Sequence, residues 1–572
     1  MAKRGKPTTT GGKAAETAAS GPAPGAAPAP DPRFRLRLPA VLGLGALSTL
    51  LFYLAFHPVA LWPLAYVCLV PWLIGVEGSG LRRAVVASGL IHMAQGFAAN
   101  YWLSILGWDT LIGTALGYFL YGLAFGAFLK TMLSSRRVPV VLWFPISIAA
   151  LEFIQGTLFF FAYPWSWLGQ SQVAFLPIVQ VADLGGATVV SFVVAAANAA
   201  VFEAVALARA WRPLPAGASP FRAIAWRAAS AFALFAAATG YGMWRLTTLP
   251  TVEGPRILVV QGNIPQERKN EGERTDDLFL TYRDLTLRAR GQPVDLVLWP
   301  ETMLPLWPVQ LGPGKYEWVP IDRHAKLRER MGDLARTLGA PIVAGSPHWE
   351  RTPAGERHHN SAFFIAEDAR IVHRYDKIYL APVSEFAPFE ESWPWAHRQI
   401  RSLVPPGFVQ FERGKQVDVI DLPTREGRTW RIAPSICFDI TFARHTVDAA
   451  RAGAEVVVNV SNYGWFKDSA ELDLALDHTV LRAIETRRGV VTCVNGGISA
   501  FVDPLGRTRQ LEVGGRRKQV EGLLVDRAVT STVTSPYVRF GDAWAYACIA
   551  LSAALLAGSV ASGRRRARNT GT

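Results

Sequence analysis

The sequence predicts a polytopic α-helical membrane part fused to one α/β domain. Half of its 572 residues are hydrophobic. Apolar runs near the roughly 20 residues that cross a bilayer as a helix fill residues 38–246 and return near the carboxyl end. Between these regions, strand-like runs alternate with amphipathic helical patterns, which is typical of an α/β domain.

Residues 1–37 come before the first apolar run. They are mostly Ala, Gly, Pro, Thr and basic residues, with almost no large apolar side chain up to about residue 32. Such a composition cannot bury a core, so we predict a disordered basic tail. It contains no cleavable apolar stretch, so we do not expect it to act as a signal peptide.

Seven apolar runs follow the tail, and an eighth lies near the end of the chain. Each is close to the length needed for a transmembrane helix. The predicted spans are 39–57, 59–76, 84–106, 111–132, 138–161, 186–208, 228–246 and 543–562.

The basic residues indicate the orientation of these spans. Lys and Arg concentrate in the tail, in the loops after spans two, four and six, and in the last segment, 564–572. Because cytoplasmic loops carry the excess of basic residues, both termini are predicted to be cytoplasmic. The α/β domain, 247–541, is then extracytoplasmic, and 542–563 holds the eighth helix.

The net charge of +14 follows the same loops, so we expect anionic lipid rather than nucleic acid as its partner. The count of 19 Trp residues fits membrane interfaces. Four Cys residues give no disulfide framework, although a bond between Cys437 and Cys493 stays open. No His/Cys cluster offers a metal site, and no cofactor is expected.

The α/β domain is predicted from nine strand-like runs and three helical patterns. Pattern alone does not distinguish a Rossmann-like sheet from a sandwich of two sheets, and no Gly-rich phosphate loop follows the first strand. The predicted strands are 256–263, 295–301, 341–346, 360–365, 371–377, 429–438, 455–460, 490–495 and 500–503, and the helices are 276–290, 326–338 and 473–488.

Three polar residues end strand-like runs in this domain. Glu301 follows Trp299 and Pro300, Lys377 follows Tyr-Asp, and Cys437 ends an apolar run. A lone Cys after such a run is most often a buried small side chain. Together, however, a carboxylate base, an ammonium and a thiol provide what nucleophilic acyl transfer needs.

The order and contexts of these residues resemble the Glu-Lys-Cys set of the nitrilase (carbon–nitrogen hydrolase) superfamily. That resemblance implies an α-β-β-α sandwich. It extends to most of the chain, because a nitrilase-like domain behind membrane helices resembles the apolipoprotein N-acyltransferase family. The strings that carry it are Trp-Pro-Glu-Thr at 299–302, Tyr-Asp-Lys at 375–377, 383–389, 460–466, Ala-Leu-Glu at 150–152 and Tyr-Pro-Trp at 163–165.

The chain departs from the family pattern at three positions. Phe438 and Asp439 stand where the family usually has Tyr and Glu, and Lys467 replaces a Gly. The family likeness implies that Glu385 positions Lys377 or Glu301. It also implies supporting roles for Trp299, Phe438, Asp439, Asn462 and Trp465.

The resemblance implies a ping-pong acyl transfer in the bacterial inner membrane, the last step of lipoprotein maturation. The donor is a phospholipid of the phosphatidylethanolamine type. The acceptor is the α-amino group of an S-diacylglyceryl-cysteine apolipoprotein. Glu301 acts as the base and Cys437 carries the acyl group as a thioester, while Lys377 and the N–H of Phe438 stabilise the oxyanion.

Aromatic residues around the site predict contact with lipid. Segments 303–320 and 386–403 are expected to be lids, and the lipid-facing candidates are Glu152, Trp165, Phe386, Phe389 and Trp393. Two alternatives stay open. One is a membrane-tethered amidase acting on a small C–N substrate, and the other is a lipid-binding protein with an inactive domain.

Overall fold

The structure is a computed structural model, which describes residues 34–158, 162–212, 214, 217–266, 275–304, 308–312, 315–318, 325–352, 355–382, 384–390, 392–403 and 410–569. The predicted tail therefore lies almost wholly outside the described residues. So do parts of both predicted lids.

The membrane half consists of helices joined by short turns. Apolar residues run through these helices with little periodicity, as expected where both neighbouring helices and lipid are apolar. The helices are α1 (Leu38–Ala55), α2 (Val70–Glu77), α3 (Leu81–Ala99), α4 (Trp108–Ser135), α5 (Val140–Phe153), α6 (Leu176–Val179), α7 (Ala182–Gly185), α8 (Ala187–Ala208) and α9 (Pro220–Thr248).

Six helices in the described part of the chain are long and apolar enough to span a membrane, and they correspond to predicted spans one, four, five, six, seven and eight. Predicted span two is a 3₁₀ turn followed by the eight-residue α2. Predicted span three is the 19-residue α3, which carries Arg82, Arg83, His92 and Gln95 and is not among the six. The difference arises because composition alone does not show where an apolar run is broken.

The α/β half contains two sheets flanked by helices. The strands are β1 (Val252–Gln261), β2 (Leu296–Trp299), β3 (Pro308–Gly312), β4 (Lys315–Trp318), β5 (Ile342–Thr352), β6 (Gly355–Ile365), β7 (Ile371–Asp376), β8 (Ile420–Pro423), β9 (Thr429–Ile436), β10 (Val456–Asn462), β11 (Gly489–Asn495), β12 (Ala500–Val502), β13 (Thr508–Gln510) and β14 (Gly522–Thr530). The helices are α10 (Thr275–Leu287), α11 (Ala325–Leu338), α12 (Pro394–Leu403), α13 (Ala443–Arg451), α14 (Glu471–Thr486), α15 (Pro536–Phe540) and α16 (Ala543–Asn569).

The first sheet has the order β14-β1-β2-β5-β3-β4, with β6 and β7 continuing from β5. The second sheet has the order β13-β12-β11-β10-β9-β8. In each sheet the central strands are parallel, β1-β2-β5 in one and β9-β10-β11 in the other. Parallel strands are usually covered on both faces, which explains why these runs are apolar at nearly every position.

Alternate residues of the strands pack on opposite sides. Ile257 and Leu298 of the first sheet share one core with Ile432 and Val458 of the second. Leu258 instead belongs to a core with α10 and α11. The second sheet buries its other face against α13 and α14. The predicted α-β-β-α sandwich is therefore confirmed.

Helix α14 joins the two halves of the molecule. Its residues Val480 and Ile484 share a core with Ile178 and Val190 of the membrane half. Just beyond its end, the fully buried Arg487 pairs with Asp183 at 2.7 Å. Removing one partner of such a pair leaves a buried charge and is costly, so this contact fixes the sandwich against the helices.

Candidate active site

Cys437 occupies a sharp turn directly after β9. Its φ of +47° is unusual for a residue other than glycine, and a 3₁₀ turn, Cys437–Thr441, begins here. Strained conformations of this kind are concentrated at functional sites. The turn ends β9 and places the thiol at the carboxyl end of this strand.

Glu301 follows β2, and its carboxylate is nearly buried, with 6% of the residue exposed. Its Oε1 accepts hydrogen bonds from Asn360 Nδ2 at 2.7 Å and Lys377 Nζ at 3.3 Å. Its Oε2 accepts one from the backbone N–H of Asn462 at 2.9 Å. Its charge acts on the thiol of Cys437 and is one of the causes that raise the pKa of this cysteine. The carboxylate is thus held in one orientation beside the thiol.

Close backbone approach also fixes Glu301. A Cβ on Gly345, in the neighbouring strand β5, would lie 2.5 Å from the Cα of Glu301. Only glycine allows the two strands to approach this closely at the site.

Lys377 follows β7 and lies between two carboxylates. Its Nζ is 3.3 Å from Glu301 and 2.9 Å from Glu385. Burial opposes the charge of Lys377, but Glu301 and Glu385 outweigh it and hold its pKa well above the ordinary value. The ammonium is therefore a permanent positive charge beside the thiol.

Hydrogen bonds with Glu385 and Asn360 fix the positions of the Lys377 and Glu301 side chains. Glu385 accepts hydrogen bonds from the N–H of Ala381 at 2.8 Å and from Asn360 Nδ2 at 2.6 Å. Since Asn360 donates to Glu301 as well, one amide group bridges the two carboxylates. Sequence reasoning gave Glu385 its positioning role but missed Asn360, the first residue of a predicted strand. An isolated Asn at that point carried no distinguishing signal.

The thiol of Cys437 is protonated in this environment. Burial, and next the charge of Glu301, raise the pKa of Cys437 well above its ordinary value, and Lys377 offsets part of that effect. Because the thiolate is the nucleophilic form, this thiol needs a base to react at neutral pH. Glu301 is the carboxylate whose charge acts most strongly on this thiol, so it can take the proton.

Asp439 links the turn at Cys437 to the segment around Lys377 through hydrogen bonds. This fully buried carboxylate accepts hydrogen bonds from Tyr375 Oη at 2.7 Å and from the N–H groups of Ile378, Tyr379 and Ile436 at 3.2, 2.7 and 3.0 Å. Three donors come from the end of β7 and one from the end of β9. The acidic side chain therefore sets the distance between nucleophile and ammonium.

Phe438 packs on aromatic residues of the membrane half. Its ring stacks on Trp165, with 5.4 Å between centroids, and Trp165 stacks in turn on Tyr163 at 4.8 Å. The indole Nε1 of Trp165 donates to Glu471 at 3.0 Å. Burial raises the pKa of Glu471 well above its ordinary value, and the hydrogen bond from Trp165 offsets part of this effect.

The other predicted supporting residues lie in different surroundings. Asn462 supplies its N–H to Glu301, and its side chain accepts a hydrogen bond from Asn495. Trp299 is fully buried in the core with α10 and donates to Thr286 Oγ1, so it supports the strand rather than contacting the thiol. Trp465 has 46% of its surface exposed on the turn after β10.

A cavity of about 680 Å³ lies between the sandwich and the membrane helices. It reaches the site at Phe438, next to Cys437, and at Tyr379 and Leu380, just after Lys377. Of the lipid-facing candidates, Phe386 and Phe389 line it.

The other lipid-facing candidates lie elsewhere. Trp393 is 54% exposed at the start of α12. Trp165 and Glu152 are buried and do not line the cavity. Trp165 stacks on Phe438, and Glu152 accepts a hydrogen bond from the N–H of Leu168 at 2.8 Å.

The predicted lids contain regular structure. Segment 303–320 includes the hairpin of β3 and β4, and segment 386–403 includes α12. Residues 305–307, 313–314, 319–320 and 391 lie outside the described residues.

The cysteines of the described chain are all free thiols. Cys493 lies between the two sheets, where its thiol donates to the carbonyls of Val260 and Leu298. The disulfide left open by the sequence is therefore not formed. The described residues contain no group of three or more His, Cys, Asp or Glu that could hold a metal ion.

A sandwich in which Glu, Lys and Cys converge beside one cavity defines a carbon–nitrogen hydrolase type of domain. The carbon-nitrogen hydrolase family model matches residues 256–516, and the apolipoprotein N-acyltransferase N-terminal domain model matches residues 48–200. Among solved structures, an amidase from Nesterenkonia sp. is 19% identical with a TM-score of 0.34, covering 51% of this chain and 95% of its own.

Two curated relatives match nearly the whole chain. The apolipoprotein N-acyltransferase of Azotobacter vinelandii is 30% identical over 527 residues, covering 89% of this chain and 92% of the relative. That of Geobacter metallireducens is 28% identical over 526 residues, covering 90% and 94%. The chain belongs to the apolipoprotein N-acyltransferase family.

Proposed function

We propose that this protein moves a fatty acyl chain from a membrane phospholipid to the α-amino group of an S-diacylglyceryl-cysteine apolipoprotein. Family membership supports the reaction, and the observation that carries the mechanism is the convergence of Cys437, Glu301 and Lys377: Lys377 donates to Glu301 at 3.3 Å, and the charges of both act on the buried thiol. The cavity beside this set meets the membrane helices, as a lipid donor requires.

In the first half-reaction, Glu301 takes the proton of the Cys437 thiol as the sulfur attacks the donor's ester carbonyl. Lys377 and the N–H of Phe438 stabilise the negative oxygen of the tetrahedral intermediate. The ester C–O bond then breaks, and Glu301 returns the proton to the leaving oxygen. The products are a thioester on Cys437 and a lysophospholipid.

In the second half-reaction, the acceptor's α-amino group attacks the thioester. Glu301 takes a proton from the nitrogen, an amide bond forms, and the C–S bond breaks. The proton then returns to the sulfur, so the enzyme ends in its starting state. The chemistry needs neither oxidant nor reductant.

Mass spectrometry of the full-length protein, incubated with phospholipid alone, tests this mechanism. We expect one acyl group on Cys437, removable by hydroxylamine as a thioester should be, and no adduct in Cys437→Ser. Adding a diacylglyceryl peptide should discharge the label to its amino group. Discharge to water at the same rate with or without peptide would instead favour the amidase.

We further propose the topology that the basic loops predict. Both termini are cytoplasmic, and the sandwich, 247–541, is extracytoplasmic and on the periplasmic side of an inner membrane. Arg136, Arg212 and Arg227 support this, since they pair with Glu77 and Glu203 in one cluster at the same end of the helices. Thiol-accessibility labelling that finds the sandwich on the cytoplasmic side would overturn the topology.

A further inference from the structure

Strands β6 and β7 meet beside the active site in two successive pairs of residues. Ser361 lies opposite Asp376 in the ladder, and the N–H of Lys377 then donates to the carbonyl of Asn360 at 2.8 Å. Asn360 and Lys377 both contact Glu301, so their side chains lie on the face of the sheet that carries the site. Because side chains alternate between the two faces, Ser361 and Asp376 lie on the opposite face.

Asp376 fixes the last pair of the ladder from this opposite face. Its Oδ1 accepts a hydrogen bond from Oγ of Ser361 at 2.6 Å, which joins the two strands. Its Oδ2 accepts a hydrogen bond from Nη2 of Arg374 at 2.9 Å, on its own strand. Ser361 is fully buried and only 15% of the Asp376 side chain is exposed, so salt screens these contacts weakly.

Further polar groups surround this carboxylate. The guanidinium of Arg374 contacts His348 and lies 3.9 Å from Glu350, and both of these residues belong to β5. His359, on β6, lies 3.9 Å from Asp376. The carboxylate of Asp376 therefore links β7 to β6 directly and to β5 through Arg374.

The relative position of β6 and β7 decides whether the site is assembled. Asn360 on β6 bridges Glu301 and Glu385. The ammonium of Lys377, just beyond β7, lies between the same two carboxylates. A shift at the end of the ladder would therefore move both the bridging amide and the ammonium. Beyond the ladder, the N–H of Gly414 donates to the carbonyl of Lys377 at 2.8 Å.

We propose that Asp376, Ser361 and Arg374 form a positioning unit, which keeps the ammonium of Lys377 between its two carboxylate partners. The effect on acyl transfer rests on the proposed function, but the position of the ammonium also affects the free thiol. The charge of Lys377 lowers the pKa of Cys437. An ammonium that moves away makes the thiolate less favourable, so the thiol reacts more slowly.

Two rates at Cys437 of the full-length protein test the positioning unit. Thioester formation is followed by intact mass with a phosphatidylethanolamine in detergent micelles. Alkylation by iodoacetamide is followed in the same micelles without phospholipid. Asp376→Asn keeps the size of the side chain but removes the charge that Arg374 contacts. Ser361→Ala removes the hydrogen bond between the strands, and it decides the outcome if Asp376→Asn does not fold.

Each variant should slow thioester formation by about tenfold to a hundredfold, because a remote change that misplaces a group by about 1 Å has an effect of this order. Each should also slow the alkylation of Cys437. The alkylation rate separates positioning from a purely structural role, since a loosened structure exposes the thiol and makes alkylation faster.

Asp418→Asn is the matched control. The carboxylate of Asp418 contacts the same strand, 3.2 Å from Nε2 of His373, but lies outside the positioning unit. This variant should keep both rates near those of the wild-type protein. Equal slowing in Asp418→Asn would refute the inference, since it would show a general effect of any change at β7.

Wild-type rates in both Asp376→Asn and Ser361→Ala would overturn the positioning unit while leaving acyl transfer intact. Slow thioester formation with unchanged or faster alkylation would overturn it too, because the ammonium would then not have moved away from the thiol. A wild-type protein that forms no thioester would overturn the proposed function, whereas the alkylation rates would still decide whether the unit positions Lys377.

Discussion

Replacing Glu301 by Gln tests the base, because the amide keeps the shape of the carboxylate and removes its charge. Three donors point at this carboxylate, from Asn360, Lys377 and the N–H of Asn462. Gln has one acceptor oxygen, so its NH₂ group must face at least one of them. A buried donor left without a partner costs about 1–3 kcal/mol, so we expect a folded but less stable variant.

Glu301→Gln should change thioester formation and alkylation at Cys437 in opposite directions. Thioester formation should fall by about 10²–10⁴, the usual contribution of a positioned base. The charge of Glu301 raises the pKa of Cys437, whereas Lys377 lowers it. Without Glu301 the pKa of the thiol falls, so iodoacetamide should alkylate Cys437 faster at neutral pH.

Intact-mass spectrometry measures both reactions, and peptide mapping assigns the modified thiol. Glu385→Gln is the matched control, since it removes a neighbouring carboxylate that also contacts Lys377 but leaves the base. It should slow thioester formation less than Glu301→Gln. A Glu301→Gln variant with wild-type thioester formation, or with slower alkylation, would refute this account of the base.

Three further variants test the surroundings of the thiol. Lys377→Met should slow thioester formation by roughly 10²–10³ and lower the free energy of unfolding by about 3–5 kcal/mol, because it leaves two buried carboxylates unpaired. Unchanged thermal unfolding of this variant would contradict the expectation. Asp439→Glu keeps the charge but adds a methylene group to a fully buried site, so its free energy of unfolding in denaturant should fall by about 1–3 kcal/mol. Wild-type stability and activity would show that only the charge matters. Cys493→Ala should keep turnover, as its thiol lies between the sheets; inactivity equal to Cys437→Ser would end the assignment of a single nucleophile.

Much of the fold could be predicted because its signals are local. The Val-rich runs at β10 and β11 and the amphipathic pattern of α14 are read directly from neighbouring residues. Strands β8 and β14 were missed because most of their residues are only partly buried, so neither forms a continuous apolar run. The pairing of β14 with β1 joins segments some 270 residues apart, which no local pattern contains.

In the candidate site, too, local motifs could be predicted and long-range contacts could not. Glu301, Lys377 and Cys437 were identified from strand-end motifs, but they come from strands β2, β7 and β9 of two different sheets. Their meeting depends on how the sheets face each other. Asn360 was missed because its role arises from the antiparallel pairing of β6 with β7, in which Lys377 donates its N–H to the carbonyl of Asn360 at 2.8 Å.

The surroundings of Cys437 also bear on the choice between transfer and hydrolysis. A neutral thiol beside its base is unreactive until a carbonyl arrives, since the proton must leave as the C–S bond forms. The thioester then lies beside Phe438, at an aromatic wall continued by Phe386 and Phe442, from which an apolar chain can displace water. An acceptor that carries its own lipid chains can displace that water, whereas a small amide gains nothing from such a wall. The aromatic cavity therefore favours acyl transfer between lipidic partners over hydrolysis.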